Sequence, residues 1–247
     1  MFLTTQALVL REVRYKEADR MLTLLTADQG KMSVKARGAL RKSSRTAAAT
    51  QQLTYSELTL FGNKGRWSVN EATVKEAFTG LRGDVEALAL ACYIAECLEA
   101  LSMEGIPSES MLRLGLNSLY ALGRSMFPQE QIKAAFEMKL MCLSGYTPEM
   151  SACGICLCPE PDAPVLDLDR GCLCCLDCAG SDERARLSPD SLAAIRYIIN
   201  CPLKQLFSFA LSSEATRELG NACERYLLRQ TERSFSTLQY WKNIRIG

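Results

Sequence analysis

Two periodicities divide the chain. Across Thr5 to Val13, Arg20 to Thr26 and Lys31 to Arg37, apolar residues alternate with polar ones or form short runs, and Asp28-Gln29-Gly30 punctuates the last two segments. A period of two places one face of an extended segment in a core, so these stretches predict a three-stranded meander. Tyr55 to Phe61 and Trp67 to Val74 repeat the pattern around Gly62-Asn63-Lys64-Gly65, a hairpin turn of residues that tolerate positive φ. Five short strands, with a polar connection from Gly38 to Gln52 after the third, predict a small barrel of the oligonucleotide-binding (OB) type.

From Asp84 the period becomes helical. Leu88, Ala91, Cys92, Ala95, Leu98 and Leu101 form one stripe that ends before Gly105-Ile106-Pro107. Ser108 and Pro128 open two more helices, and Gly145-Tyr146-Thr147-Pro148 stops the third, with glycine at its end and proline beyond. Ser188-Pro189-Asp190 starts another, because serine accepts from exposed amides and proline suits the first turn; a last long helix is expected from Ser213 to Thr231. The predicted fold class is α+β and multidomain. An OB-type barrel over residues 1–80 precedes an all-α domain, residues 81–150 and 181–247, and a four-cysteine zinc ribbon at 151–180 interrupts that domain.

The ribbon follows from spacing. Cys153, Cys156, Cys175 and Cys178 stand as C-x2-C-x18-C-x2-C. Each pair can form a knuckle that aims two thiolates at one point, and the insert is long enough to bring the knuckles together around one tetrahedral Zn2+. Four sulfur ligands leave no position for water or substrate, so such an ion is structural. Cys158, Cys172 and Cys174 are spare, and sets using Cys156 with Cys158, or Cys172 with Cys174 and Cys175, stay open. The symmetric set is favoured because one-residue spacings rarely turn both sulfurs inward. Redox chemistry at one C-x2-C pair competes, without the strand-to-helix context of a thioredoxin motif. Seven of the 12 cysteines fall between Cys153 and Cys178, and the N-terminus does not read as a signal peptide. Both favour reduced thiolates and a cytoplasmic protein. Cys92, Cys97, Cys142 and Cys223 sit in helical apolar patterns and read as packing.

The chain contains no histidine. That removes the usual general base near neutral pH and the usual partner of a serine or cysteine nucleophile, so no enzymatic turnover is expected. Net charge is only +1, but residues 1–80 carry 13 basic and 7 acidic side chains, against 16 and 21 in the remainder. The N-terminal module is therefore the basic one. Its charge concentrates in Lys31, Lys35, Arg37, Arg41, Lys42 and Arg45, with no acid among them. A run of this kind on a barrel suits phosphate contacts that give affinity without sequence reading. Six contacts to a single strand would set a log–log salt slope of about −4. Tyr15, Tyr55, Phe61 and Trp67 are candidates for base stacking, Tyr15 and Trp67 foremost. Arg225, Arg229 and Arg233 share a face of the last helix, and Lys242 and Arg245 flank Trp241 in the tail, a second candidate phosphate track.

Several segments resemble the bacterial DNA repair protein RecO family. They are Ala7-Leu8-Val9-Leu10, Glu17-Ala18-Asp19-Arg20, the run from Lys35 to Arg45, Phe136-Glu137-Met138-Lys139-Leu140, Gly145-Tyr146-Thr147-Pro148 and the cysteine insert with Asp169-Arg170-Gly171. Leu157 stands where the family commonly has glycine. The resemblance implies a recombination mediator in the bacterial cytoplasm, associated with the nucleoid and not with membrane. Such a protein binds single- and double-stranded DNA, anneals complementary strands, engages single-strand-binding protein and, with RecR, helps load RecA. Lys133, Phe136, Lys139 and Leu140 are then expected to offer a basic rim beside an apolar groove for the tail of single-strand-binding protein. A zinc-dependent RNA-binding accessory protein is the competing reading, and a zinc-stabilised deacylase or thiol oxidoreductase a more distant one.

Overall fold

The computed structural model describes residues 1–179 and 183–245. β1 (Phe2–Tyr15), β2 (Asp19–Thr26), β3 (Gly30–Ala36), β4 (Tyr55–Asn63) and β5 (Arg66–Glu76) close into a barrel of order β1-β2-β3-β5-β4. β1 closes it by pairing with β2 through its C-terminal half and with β4 through its N-terminal half. Ala7, Val9, Leu22, Leu24, Val34, Leu58 and Leu60 fill the interior. Ala7 to Leu10 are all buried, because the strand is covered on both faces: Ala7 and Val9 point into the barrel, and Leu8 reaches Gly115 on a covering helix.

That cover comprises α1 (Val85–Leu101) and α2 (Glu109–Gly123). Asp84 caps α1 by accepting from the amides of Glu86 and Ala87 at 2.9 and 3.0 Å. Packing thus divides the chain elsewhere than periodicity does. Residues 1–124 form one compact unit together with the C-terminal segment from 235, and residues 125–234 form another. The segment read as a basic tail is a helix, Ser236–Arg245, whose Leu238 and Trp241 are buried, while Phe235 meets the edge of Tyr93 at 5.7 Å.

The second unit contains α3 (Gln129–Leu143), β6 (Pro164–Asp167), β7 (Cys172–Cys175), β8 (Arg184–Arg186), α4 (Pro189–Asn200) and α5 (Ser213–Thr231); the C-terminal helix of the first unit is accordingly α6. The strands form a small sheet of order β7-β6-β8. Its turn uses Gly171 at φ +63, where a Cβ would lie 2.6 Å from the Tyr226 hydroxyl. α3 runs through the centre of this unit, buried from Gln131 to Met141. Among the described residues, no helix is long and apolar enough to cross a membrane.

Candidate nucleic-acid interface and metal centre

The connection between β3 and β4 is held at both ends by charged residues of the β2 entry. The Asp19 carboxylate accepts from the Gly38 amide at 2.8 Å and pairs with Lys35 at 2.9 Å. The amide first and the ammonium second keep that carboxyl below its ordinary range. Leu40 N–H donates to the Ala18 carbonyl at 2.9 Å. At the other end Arg20 donates to the Ala47 carbonyl and the Thr50 hydroxyl at 3.0 and 3.2 Å, while Leu53 N–H reaches Val9 at 2.8 Å. Ala39 and Ala49 turn inward and are buried. The loop is therefore preorganised, with Arg37, Arg41, Lys42 and Arg45 exposed and making no ion pair among the described residues.

The other two cations of the run are engaged. Lys31 donates to the Glu99 carbonyl at 2.8 Å, and Lys35 is shared between Asp19 and the Tyr15 ring, 4.9 Å from its centroid. Of the aromatic candidates, Tyr15 is exposed at the tip of β1. Trp67 is half-buried over Gly62, where a Cβ would meet its ring at 2.7 Å. Phe61 packs on Phe2 at 5.2 Å, and the Tyr55 hydroxyl donates to Gln6 at 2.5 Å. The second track is largely neutralised: Arg229 pairs with Asp169 at 2.5 Å, Arg225 with Glu183 at 3.6 Å and Arg245 with Glu86 at 2.5 Å. Sequence reasoning missed Asp19 and Arg20 as anchors. The signal was an acid–base pair at the entry of the strand that precedes the basic hairpin arm.

In the second unit the thiols of Cys153, Cys156, Cys175 and Cys178 all lie within 4.8 Å of one another. Tetrahedral Zn–S bonds of about 2.3 Å require sulfur–sulfur edges of about 3.8 Å, and the Cys156 and Cys175 sulfurs are 3.5 Å apart. Burial opposes ionisation of Cys153, but the amides of Cys156, Cys175 and Ile155 outweigh it and bring that thiol to about 6. Cys178, crowded by Cys156 and partly desolvated, is raised to about 11, the mark of thiols that share one site. The four-thiol set is thus in position to bind a metal ion. Of the spare cysteines, Cys172 and Cys174 lie 3.8 Å apart in the ribbon core with Val165. Leu157 sits in the first knuckle at φ +62 with its side chain exposed, a left-handed conformation that costs roughly 1–2 kcal/mol for a residue with a Cβ.

Arg196 of α4 clamps the ribbon. It donates to the carbonyls of Met150 at 2.8 Å, Pro159 at 2.9 Å and Ser151 at 3.3 Å, and pairs with Glu160 at 2.7 Å.

The expected rim for a partner tail is not a surface, and that assignment is corrected. Lys133, Phe136, Lys139 and Leu140 do share a face of α3, but all four are buried. Lys133 lies 2.8 Å from both Glu137 and Glu224. Burial works against its charge, and the two carboxylates more than restore it, raising its pKa above the ordinary lysine value. Lys139 donates to the carbonyls of Ile198, Ile199 and Cys201 at 3.0, 2.9 and 2.9 Å, capping the end of α4. These cations are internal struts.

A closed OB-type barrel with a pinned basic loop, followed by helices and a four-thiol cluster in position to bind a metal, defines a class of OB-barrel proteins with a helical, cysteine-bearing extension. Residues 1–78 match the family "Recombination protein O N terminal" and residues 82–239 match "Recombination protein O C terminal". Proteins named DNA repair protein RecO align along nearly their whole length. The one from Acetivibrio thermocellus is 33% identical over 98% of this chain and 97% of its own, and that from Symbiobacterium thermophilum is 30% identical over 96% of both. The one from Alkaliphilus metalliredigens is 28% identical over 99% of this chain. The chain belongs to the RecO family of DNA repair proteins.

Proposed function

We propose that this protein is a recombination mediator that binds single- and double-stranded DNA through the barrel, residues 1–80, and anneals complementary strands. With RecR it helps load RecA onto DNA coated by single-strand-binding protein, in the bacterial cytoplasm at the nucleoid. The observation that carries this reading is the pinned loop, on which Arg37, Arg41, Lys42 and Arg45 are exposed and make no ion pair among the described residues. Unpaired cations on a fixed frame neutralise phosphates without reading bases, which is what bringing two polyanions together demands. No turnover is required of such a protein; the work is binding and exchange. Within the second unit, α3, α4 and α5 serve as scaffold for the insert expected at 151–180, which Arg196 of α4 holds in place. There Cys153, Cys156, Cys175 and Cys178 hold one zinc ion, which when bound supplies a cross-link between the two knuckles.

The test is the annealing rate of complementary oligonucleotides precoated with cognate single-strand-binding protein, with and without this protein. Acceleration that fades as salt rises supports the reading. A folded, metal-loaded protein that gives no acceleration, and that prefers structured RNA, overturns it in favour of an RNA-binding accessory role.

A further inference from the structure

The first unit holds a cavity of about 340 Å3 that the loop does not use, walled by Glu76, Thr79, Gly80, Tyr120, Gly123 and Arg124. It exists because a 3-10 turn, Thr79–Gly83, is pressed against the end of α2. A Cβ at Gly80 would lie 2.0 Å from the Gly123 carbonyl oxygen, so the floor requires glycine and presents peptide groups. Phe78, which precedes the turn, is held at φ +45, with its ring buried and its N–H donating to Glu76 at 2.8 Å. A left-handed phenylalanine is strained, and such strain persists where the surroundings fix a particular geometry.

One wall is an aromatic–guanidinium pair. Tyr120 and Arg124 are a helical turn apart, the tyrosine is 47% exposed, and the guanidinium carbon lies 5.5 Å from the ring centroid. The turn that forms the floor also carries the exposed Arg82, which donates to Gln51 at 2.5 Å. Gln51 lies near the end of the polar connection that bears the basic run, so the turn that floors the cavity touches that connection within one unit.

We propose that this cavity receives an unstacked base of a single strand whose phosphates are held by the basic loop. The inference rests on the DNA-binding reading above and names where a base goes. Tyr120 with Arg124 supplies a stacking surface that every base can use. Peptide groups of Gly80 and Gly123 and the Glu76 carboxylate meet polar base edges, and that carboxylate repels a phosphate, so the occupant is the base. Bases inside a duplex are already stacked and do not enter. The site therefore distinguishes single strands from duplex.

The experiment measures the affinity of the full chain for an oligothymidylate and for a duplex of equal length, by fluorescence anisotropy across a salt series. Tyr120→Ala is expected to weaken single-strand binding roughly 5- to 150-fold, with duplex affinity and salt slope unchanged; Tyr120→Phe keeps wild-type affinity. Circular dichroism checks the fold of both variants. Equal weakening on both DNAs, or unchanged single-strand affinity in Tyr120→Ala, overturns the pocket while leaving the DNA-binding reading standing. A wild-type chain that binds neither DNA overturns both.

Discussion

The salt dependence of single-strand binding counts the cations that are free to meet phosphate. Taken as a run, the six basic residues between Lys31 and Arg45 would give a slope of about −4. In the structure Lys31 is held by the Glu99 carbonyl and Lys35 by Asp19, which leaves Arg37, Arg41, Lys42 and Arg45. Four contacts contribute about −3, so a fourfold rise in salt lowers the loop's part of the affinity about 50-fold, where six would lower it about 300-fold. The assay is anisotropy of a labelled oligothymidylate titrated at increasing potassium chloride. Replacing Arg37, Arg41, Lys42 and Arg45 together with alanine should flatten the slope by about 3. Replacing Lys31 and Lys35 together should leave it nearly unchanged. If the second variant flattens the slope by about 1.4, the share of two full contacts, the intramolecular pairing does not decide which cations act and the reasoning fails.

Lys139→Met should destabilise the second unit by about 3 kcal/mol, because it strips three carbonyls of a buried, charged donor; urea unfolding followed by circular dichroism measures this, and a loss under about 0.5 kcal/mol would show that water replaces the ammonium freely. Elemental analysis should find one zinc per chain, absent from Cys156→Ser. Chelation should loosen the ribbon by proteolysis yet leave the loop's salt slope intact, since thiols and loop belong to different compact units. Glu218 accepts from the Ser188 hydroxyl and amide and from Ser191; the hydroxyl contact leads, burial opposes, and the net effect holds its carboxyl below the ordinary 4.5. A depressed carboxyl contributes stability that is full above its unfolded pKa and is lost as pH falls through the lower folded value. Glu218→Gln should therefore be less stable than wild type at pH 7, with the gap closing below about pH 4.5, as thermal melts across pH would show.

Much was legible in the residues because it depends on short-range geometry. The alternation in β1 to β5 fixes which side of each strand meets a core, and the C-x2-C spacings favour one set of thiols among several; Cys153, Cys156, Cys175 and Cys178 do converge. The acid-free run from Lys31 to Arg45 marks the basic surface. What the pattern could not settle is which charge is spent inside the molecule. Lys31 donates to a carbonyl 68 residues away, and Lys133 pairs with Glu224, 91 residues away. A lysine on an otherwise apolar face reads as the rim of a groove, yet Lys139 is buried because the end of α4 brings it three carbonyls. The same holds for α6, whose short amphipathic pattern carries little signal until α1 covers Leu238 and Trp241, and for the Gly80–Gly123 approach, which no local spacing announces. Periodicity and ligand spacing are properties of neighbouring residues, so the sequence alone determined the barrel strands, the favoured thiol set and the sign of the charge on the N-terminal module. Partnering of charges and the shape of cavities arise where distant segments meet, and only the tertiary structure decided those.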